Sequence, residues 1–177
     1  IWTRPVEEAL VDFVYEMPAL VPEDEAKSHL HRYSAGVGVG EMTVSATWQV
    51  LNINEPIIKT LEADLRDTCS SLLNSEIFIH ESFVNVYHGK SQIVKHNHVI
   101  KMDEDLAVSS QKFSLVYYLR AGDKNAAQPG ILKLYNPDRS IHPEQGMIIL
   151  FPASVMHSAS YSGTEERIVL GANFYTI

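Results

Sequence analysis

Residues 77–99 read IFIHESFVNVYHGKSQIVKHNHV, and this stretch decides the fold. Before it the chain is mostly helical in pattern; from Ile77 onward it turns to short β-type runs divided by turn residues. Residues 77–87 read as one strand, Gly89 as a break, and 92–99 as a second extended segment. That second segment carries Lys95-His96-Asn97-His98. Two histidines one residue apart on an extended chain project from the same face. Two imidazoles aimed at one point suit a divalent ion. Taken alone, the same motif also reads as two exposed polar residues on an edge strand.

Working outward from it, further strands are expected at 113–119, 131–135, 147–151, 155–161 and 167–175. The breaks between them are Gly122-Asp123, Pro129-Gly130, Pro137-Asp138, Gly146 and Gly163. Short strands at this spacing after a helix-rich start predict an antiparallel sandwich or small barrel buttressed by helices. His157 follows Phe151-Pro152 closely and stands ten residues before Arg167. That arrangement offers a third ligand and then a cation for an anionic co-substrate.

Upstream, Val6, Leu10, Phe13 and Val14 give residues 5–15 a helical spacing with Pro5 near the first turn. A second short helix is expected over 22–32, with Glu23, Asp24 and Glu25 at its positive end. Gly36, Gly38 and Gly40 read as turn or strand-edge residues, because a strand follows them rather than a helix. In that strand Met42, Val44, Ala46, Trp48 and Val50 alternate with polar residues. The best helix opens at Asn54-Glu55-Pro56 and stops at Asn74. Its stripe is Ile58, Leu61, Leu65, Cys69 and Leu72, with Glu62 and Arg66 paired on the other side. Cys69 on that stripe reads as a buried structural thiol. No repeat or linker interrupts the chain. The expectation is a single domain over 1–177, in which 1–76 supports a core at 77–177.

The 177 residues carry a formal charge of −8, with 45% hydrophobic and 20% charged residues. The mixture is that of an ordinary globular protein. The negative charge argues against non-specific nucleic-acid or anionic-membrane binding. No apolar run approaches transmembrane length, and the start lacks a signal-peptide pattern. One cysteine makes no internal disulfide, which fits a reducing compartment. The start at Ile1-Trp2, without Met, suggests flanking residues.

Asn85-Val86-Tyr87, Gly89, His96-Asn97-His98, Ser114-Leu115-Val116-Tyr117-Tyr118-Leu119, Gly130-Ile131-Leu132, Gly146, Phe151-Pro152, His157, Arg167 and Asn173 stand in a telling order. This order resembles the Fe(II)- and 2-oxoglutarate-dependent dioxygenases, specifically the prolyl-hydroxylase-like branch with its small bacterial and phage relatives. The resemblance covers about residues 83–177. It implies a mainly β protein with N-terminal helices, built as a double-stranded β-helix (jelly roll). It also implies Fe(II), 2-oxoglutarate and O₂ as partners, hydroxylation of an unidentified substrate with release of succinate and CO₂, and a cytoplasmic setting in a bacterial or phage-infected cell. Residue by residue, His96 and His157 match the two histidine ligands. Arg167 and Tyr118 match the groups that bind the far carboxylate of 2-oxoglutarate, and Tyr87 matches a tyrosine of the same pocket. Asn173 lies six residues after Arg167, on the same strand face.

The chain departs from the family at one ligand. Where the family carries Asp or Glu two residues after the first histidine, this sequence has His98. Either His98 is the third ligand, or a carboxylate from Asp103, Glu104 or Asp105 reaches in; His98 is favoured because the acids lie on a loop read as solvated. Three neutral histidines still leave three positions on the metal but remove one negative charge. Two other functions fit parts of the pattern: a cupin-like metalloprotein that does not use 2-oxoglutarate, and a non-catalytic binding or structural protein on the same scaffold. Tyr117 reads as a packing residue pointing away from Tyr118. His29, His31, His80, His88 and His142 read as surface or structural.

Overall fold

The computed structural model describes residues 1–17 and 49–177 together with the backbone of 38–45. The helix expected at 22–32, with His29 and His31, lies outside the described residues, as do residues 46–48 of the alternating strand. The described chain runs β1 (Trp2–Thr3), α1 (Glu8–Glu16), β2 (Gly38–Ser45), a 3₁₀ turn (Val50–Asn52), α2 (Pro56–Leu73), β3 (Ile77–His96), α3 (Lys101–Asp105), a second 3₁₀ turn (Ser109–Gln111), β4 (Lys112–Arg120), β5 (Pro129–Tyr135), β6 (Asp138–Ile141), β7 (Met147–Pro152), β8 (His157–Tyr161) and β9 (Arg167–Thr176). Every strand pair is antiparallel.

β3 makes the fold. Its first half, from Ile77 to Tyr87, pairs with β9, and its second half, from Ser91 to His96, pairs with β8. The first half therefore belongs to a sheet ordered β1-β7-β4-β9-β3, and the second to a sheet ordered β3-β8-β5-β6. The two sheets face each other and share one long strand, which is a double-stranded β-helix. Gly89, read from sequence as a break, does not interrupt it. β2 runs alongside both halves, from Ser45 opposite Val84 to Gly38 opposite Ile93, with a register irregularity opposite residues 88–90. The second half ends at His96, not at 99, so His98 sits in a bend beyond the strand.

Period-two alternation sorts the side chains onto two faces. Val84, Val86, Leu115, Tyr117, Ile148, Ile168 and Leu170 pack under the helices with Leu10, Val14, Ile58, Leu61, Leu65 and Cys69. Tyr87, Tyr118, Ile149, Phe151, Val169, Leu132 and Leu134 line the space between the sheets. Tyr117 thus points away from Tyr118, and its hydroxyl donates to the Pro5 carbonyl at 3.0 Å. α2 begins with Pro56 at its first turn and ends at Asn74, whose φ of 51° is left-handed. Arg66 pairs with Glu62 and also donates to the Ile77 carbonyl at 2.6 Å, fastening the helix to the start of β3. Leu72 is a correction: it is 59% exposed, and Leu73 packs on the core in its place. Cys69 is buried, which pushes its thiol up to about 12. Two strands had no sequence signal: β1 is two residues long, and β6 has one apolar side chain, Ile141. No described helix is long and apolar enough to cross a membrane.

Candidate active site

His96 ends β3 and His157 begins β8, where the two residues are direct cross-strand partners. Their ring centroids are 4.2 Å apart. His98 joins them from the bend, 4.9 Å from His96 and 5.0 Å from His157. Its backbone N–H is tied to the Ala153 carbonyl at 2.9 Å. The rings converge through that bend rather than through strand alternation, as the spacing had suggested. One ligand atom from each ring lies within 4.8 Å of the others, a group that could hold a metal ion.

Protonation suits the same purpose. Burial pushes His98 down to about 3, helped by the neighbouring rings and Lys112; burial takes His157 to about 4 and also lowers His96. All three rings are neutral at pH 7, the state that ligates metals. Nδ1 of His96 lies 2.8 Å from the Val94 carbonyl, and Nδ1 of His157 lies 3.0 Å from the Val155 carbonyl. A carbonyl only accepts, so each Nδ1 carries the proton and each Nε2 keeps its lone pair for an ion.

The acids weighed as alternative ligands are placed elsewhere. Asp103 is 1% exposed, so the expected solvated loop is instead the short helix α3 with a buried carboxylate. Burial alone would raise its pKa. The Ile100 N–H, the Lys112 ammonium at 2.8 Å and the Tyr175 hydroxyl outweigh that and hold it low. Asp103 is thus consumed in anchoring the segment that follows His98.

The histidines open onto a cavity of about 290 Å³ between the sheets, which Tyr87, Tyr118, Arg167 and Asn173 also line. Arg167 is 2% exposed and lies opposite Tyr87 in the β3–β9 register. Its guanidinium is boxed by aromatic faces, 4.8 Å from Tyr87, 5.3 Å from Tyr118 and 5.9 Å from Tyr161. One nitrogen, Nη2, donates to the Gly130 carbonyl at 3.1 Å. Nε and Nη1 are buried with no hydrogen-bond partner among the described residues, and so is the Tyr118 hydroxyl. Buried donors of this kind cost free energy unless something fills them.

Asn173 lies in the same cavity but at its other end. Six residues of β9 separate it from Arg167, roughly 20 Å along an extended strand. It contacts Ser114, Glu81 and His98 rather than the guanidinium. Sequence reasoning missed Glu81, Ser114, Tyr161 and His80. A signal existed for two of them: Glu81 shares period-two spacing with Tyr87, and Ser114 with Tyr118. His80 is brought to the cavity by an irregularity in the β3–β9 register between Ile79 and Glu81, and it meets the Tyr175 ring edge at 5.6 Å. His88 and His142 are exposed, and His88 faces Glu166 at 3.3 Å.

No family model and no curated protein matches the sequence. Solved structures do match the architecture. An oxidoreductase of the 2OG-Fe(II) oxygenase family from Burkholderia pseudomallei aligns with a TM-score of 0.53 and 18% identity, over 78% of this chain and 65% of that one. The viral collagen prolyl hydroxylase of Paramecium Bursaria Chlorella virus-1, solved with 2OG, gives 0.59 and 15% over 89% and 92%. The fold is that of the 2OG-Fe(II) oxygenases. A prolyl-4-hydroxylase from Pseudomonas putida extends the likeness, with a TM-score of 0.57 and 15% identity over 93% of this chain and 88% of its own. The oxygenase fold reaches beyond residues 83–177, where the sequence resemblance lay, into the helices that support the first sheet.

Proposed function

We propose that the protein is an Fe(II)- and 2-oxoglutarate-dependent oxygenase that hydroxylates an unidentified substrate. One observation carries this reading. A buried guanidinium with two unfilled donors and a buried tyrosine hydroxyl face a cavity that also receives three neutral histidines. A dianionic chelator such as 2-oxoglutarate meets both needs at once, with one end at the histidines and the other at the arginine.

In this reading His96, His98 and His157 hold the ion. The Val94 and Val155 carbonyls orient two of the rings by accepting from Nδ1. Bound iron would supply oxygen activation, with 2-oxoglutarate oxidised to succinate and CO₂. Arg167 keeps Nε and Nη1 without partners among the described residues, and either can act with the second N–H of Nη2, on one edge of the planar guanidinium, to take a carboxylate bidentately. Tyr118 donates a third hydrogen bond to that carboxylate. The faces of Tyr87 and Tyr161 keep water from the guanidinium, so the pairing is made in a low-dielectric pocket where it is strong. A cupin-like site without 2-oxoglutarate leaves Arg167 and Tyr118 unexplained. The lone, buried Cys69 fits a reducing, cytoplasmic setting.

The test begins with anaerobic Mn(II) calorimetry on the wild type, His96→Ala and His157→Ala. Either substitution should abolish stoichiometric binding and leave the circular dichroism spectrum intact. Aerobic Fe(II) with 2-oxoglutarate should then yield succinate in the wild type, even without the prime substrate. Wild-type metal affinity in either variant would sink the ligand assignment.

A further inference from the structure

The three imidazoles of the cluster are not held alike. His96 and His157 lean on carbonyls two residues back in their own chain, contacts that come with the local backbone. His98, beyond the end of its strand, has no such carbonyl among the described residues. Its Nδ1 lies 3.4 Å from Nδ2 of Asn173.

Asn173 is itself fixed on two sides. Nδ2 lies 2.8 Å from a carboxylate oxygen of Glu81, which only accepts, so the NH₂ end of the amide faces Glu81. Ser114 Oγ donates to Oδ1 at 2.7 Å. Asn173 and Ser114 are 1% and 2% exposed. The chain of contacts is written into the sheet, because Asn173 is the cross-strand partner of Glu81 on one side and of Ser114 on the other. The register irregularity between Ile79 and Glu81 is what brings Glu81 opposite Asn173.

We propose that Ser114, Asn173 and Glu81 are positioning residues of the metal centre, which set the His98 ring and thereby how tightly a divalent ion is held. The inference rests on the reading that the three histidines bind such an ion. Partners of this kind behind a ligating histidine fix its ring and tune its basicity. Here the family's carboxylate ligand is replaced by a neutral ring, and Glu81 returns a negative charge one side chain away. With its NH₂ end held toward Glu81 and its Oδ1 toward Ser114, Asn173 places Nδ2 against Nδ1 of His98 and so fixes the plane of that ring.

The experiment is Mn(II) affinity by anaerobic calorimetry, in the wild type and in a His98→Ala background. Asn173→Ala should weaken Mn(II) roughly tenfold, the lower end of what loss of such a partner costs. Asn173→Asp, which presents only acceptors to the ring, should hold Mn(II) at least as tightly as the wild type. A merely structural asparagine would give the opposite order, because a second carboxylate beside Glu81 is the more disruptive change. In the His98→Ala background both effects should vanish, since residues that act through one group are not additive. Glu81→Gln keeps the shape and serves if the Asn173 variants fail to fold; it should weaken Mn(II) less than Asn173→Ala, and again only when His98 is present. The d–d absorption of the Co(II)-loaded protein should shift in Asn173→Ala and Glu81→Gln. Wild-type affinity in Asn173→Ala, or the same loss with and without His98, overturns the inference while leaving the metal site standing. A wild type that binds no Mn(II) overturns the metal reading itself.

Discussion

At the scale of single residues, Arg167 does the most to separate one chemistry from another. Its charge is buried, and two of its nitrogens wait for a partner. Removing one member of a buried, hydrogen-bonded charge pair costs about 2–5 kcal/mol, so Arg167→Ala should weaken 2-oxoglutarate roughly 30-fold or more. Arg167→Lys should recover part of the loss, since it keeps the charge without the fork. Mn(II) affinity without 2-oxoglutarate should be unchanged, because Arg167 is not a ligand; equal 2-oxoglutarate affinity in wild type and Arg167→Ala would remove the case for that co-substrate. The histidines allow a second prediction. Burial lowers all three, with His98 near 3 and His157 near 4, whereas unfolded imidazoles titrate near 6.5. Below about pH 6.5 the unfolded chain takes up protons that the folded one refuses, so ion-free protein should lose stability as pH falls from about 6.5 toward 4. The urea midpoint in EDTA should therefore drop between pH 7.5 and 5. The drop should be smaller in a His98→Gln, His157→Gln double variant; an identical drop in both would mean that the rings are not the groups responsible.

At the scale of elements, the turn into β5 is built around the arginine. Gly130 has φ +82°, and a Cβ there would lie 2.8 Å from the Arg167 guanidinium carbon. Gly130→Ala should cost roughly 1–3 kcal/mol in backbone strain and displace the guanidinium. The expected signature is weakened 2-oxoglutarate binding with Mn(II) affinity intact; isothermal titration of both ligands reads it, and an unaltered 2-oxoglutarate constant would contradict it. This glycine was legible from sequence only as a turn, because its contact lies 37 residues away in β9. The strands with apolar alternation, the amphipathic α2 and the His96, His157 and Arg167 trio could all be read in one dimension. What could not be read came from pairing between distant segments. Gly89 lies inside one long strand, β3, that β9 pairs on one side of it and β8 on the other, Asp103 is buried by Lys112 and Tyr175, and Glu81 acquires a partner in Asn173 through the β3–β9 register. His98 shows the limit most clearly. Its spacing from His96 pointed to the three-histidine cluster by way of a strand geometry that the chain abandons one residue earlier.

At the scale of the whole molecule, the site spans the gap between two sheets, so its ligands should join the sheets as well as fill the cavity. His96 and His157 belong to the sheet ordered β3-β8-β5-β6, while Arg167 and Tyr118 stand on β9 and β4 of the other. A chelator held at both ends links the two layers. On the proposed reading, an ion held by three neutral histidines keeps its double positive charge uncompensated by a ligating carboxylate, which favours a dianion arriving beside it. Ion and 2-oxoglutarate should accordingly bind with positive coupling, and by linkage each should raise the other's affinity by the same factor. Melting curves are a direct way to see this. A ligand at about 100 times its Kd adds about 2.7 kcal/mol, or roughly 5–10 °C for a chain of this length. Millimolar 2-oxoglutarate should move the melting temperature little in EDTA and by roughly that amount in Mn(II), more than the separate shifts added together. Arg167→Ala should keep the Mn(II) shift and lose the extra one. If 2-oxoglutarate stabilises the protein equally with and without Mn(II), the two ends of the cavity are separate sites and the dianion does not bridge them.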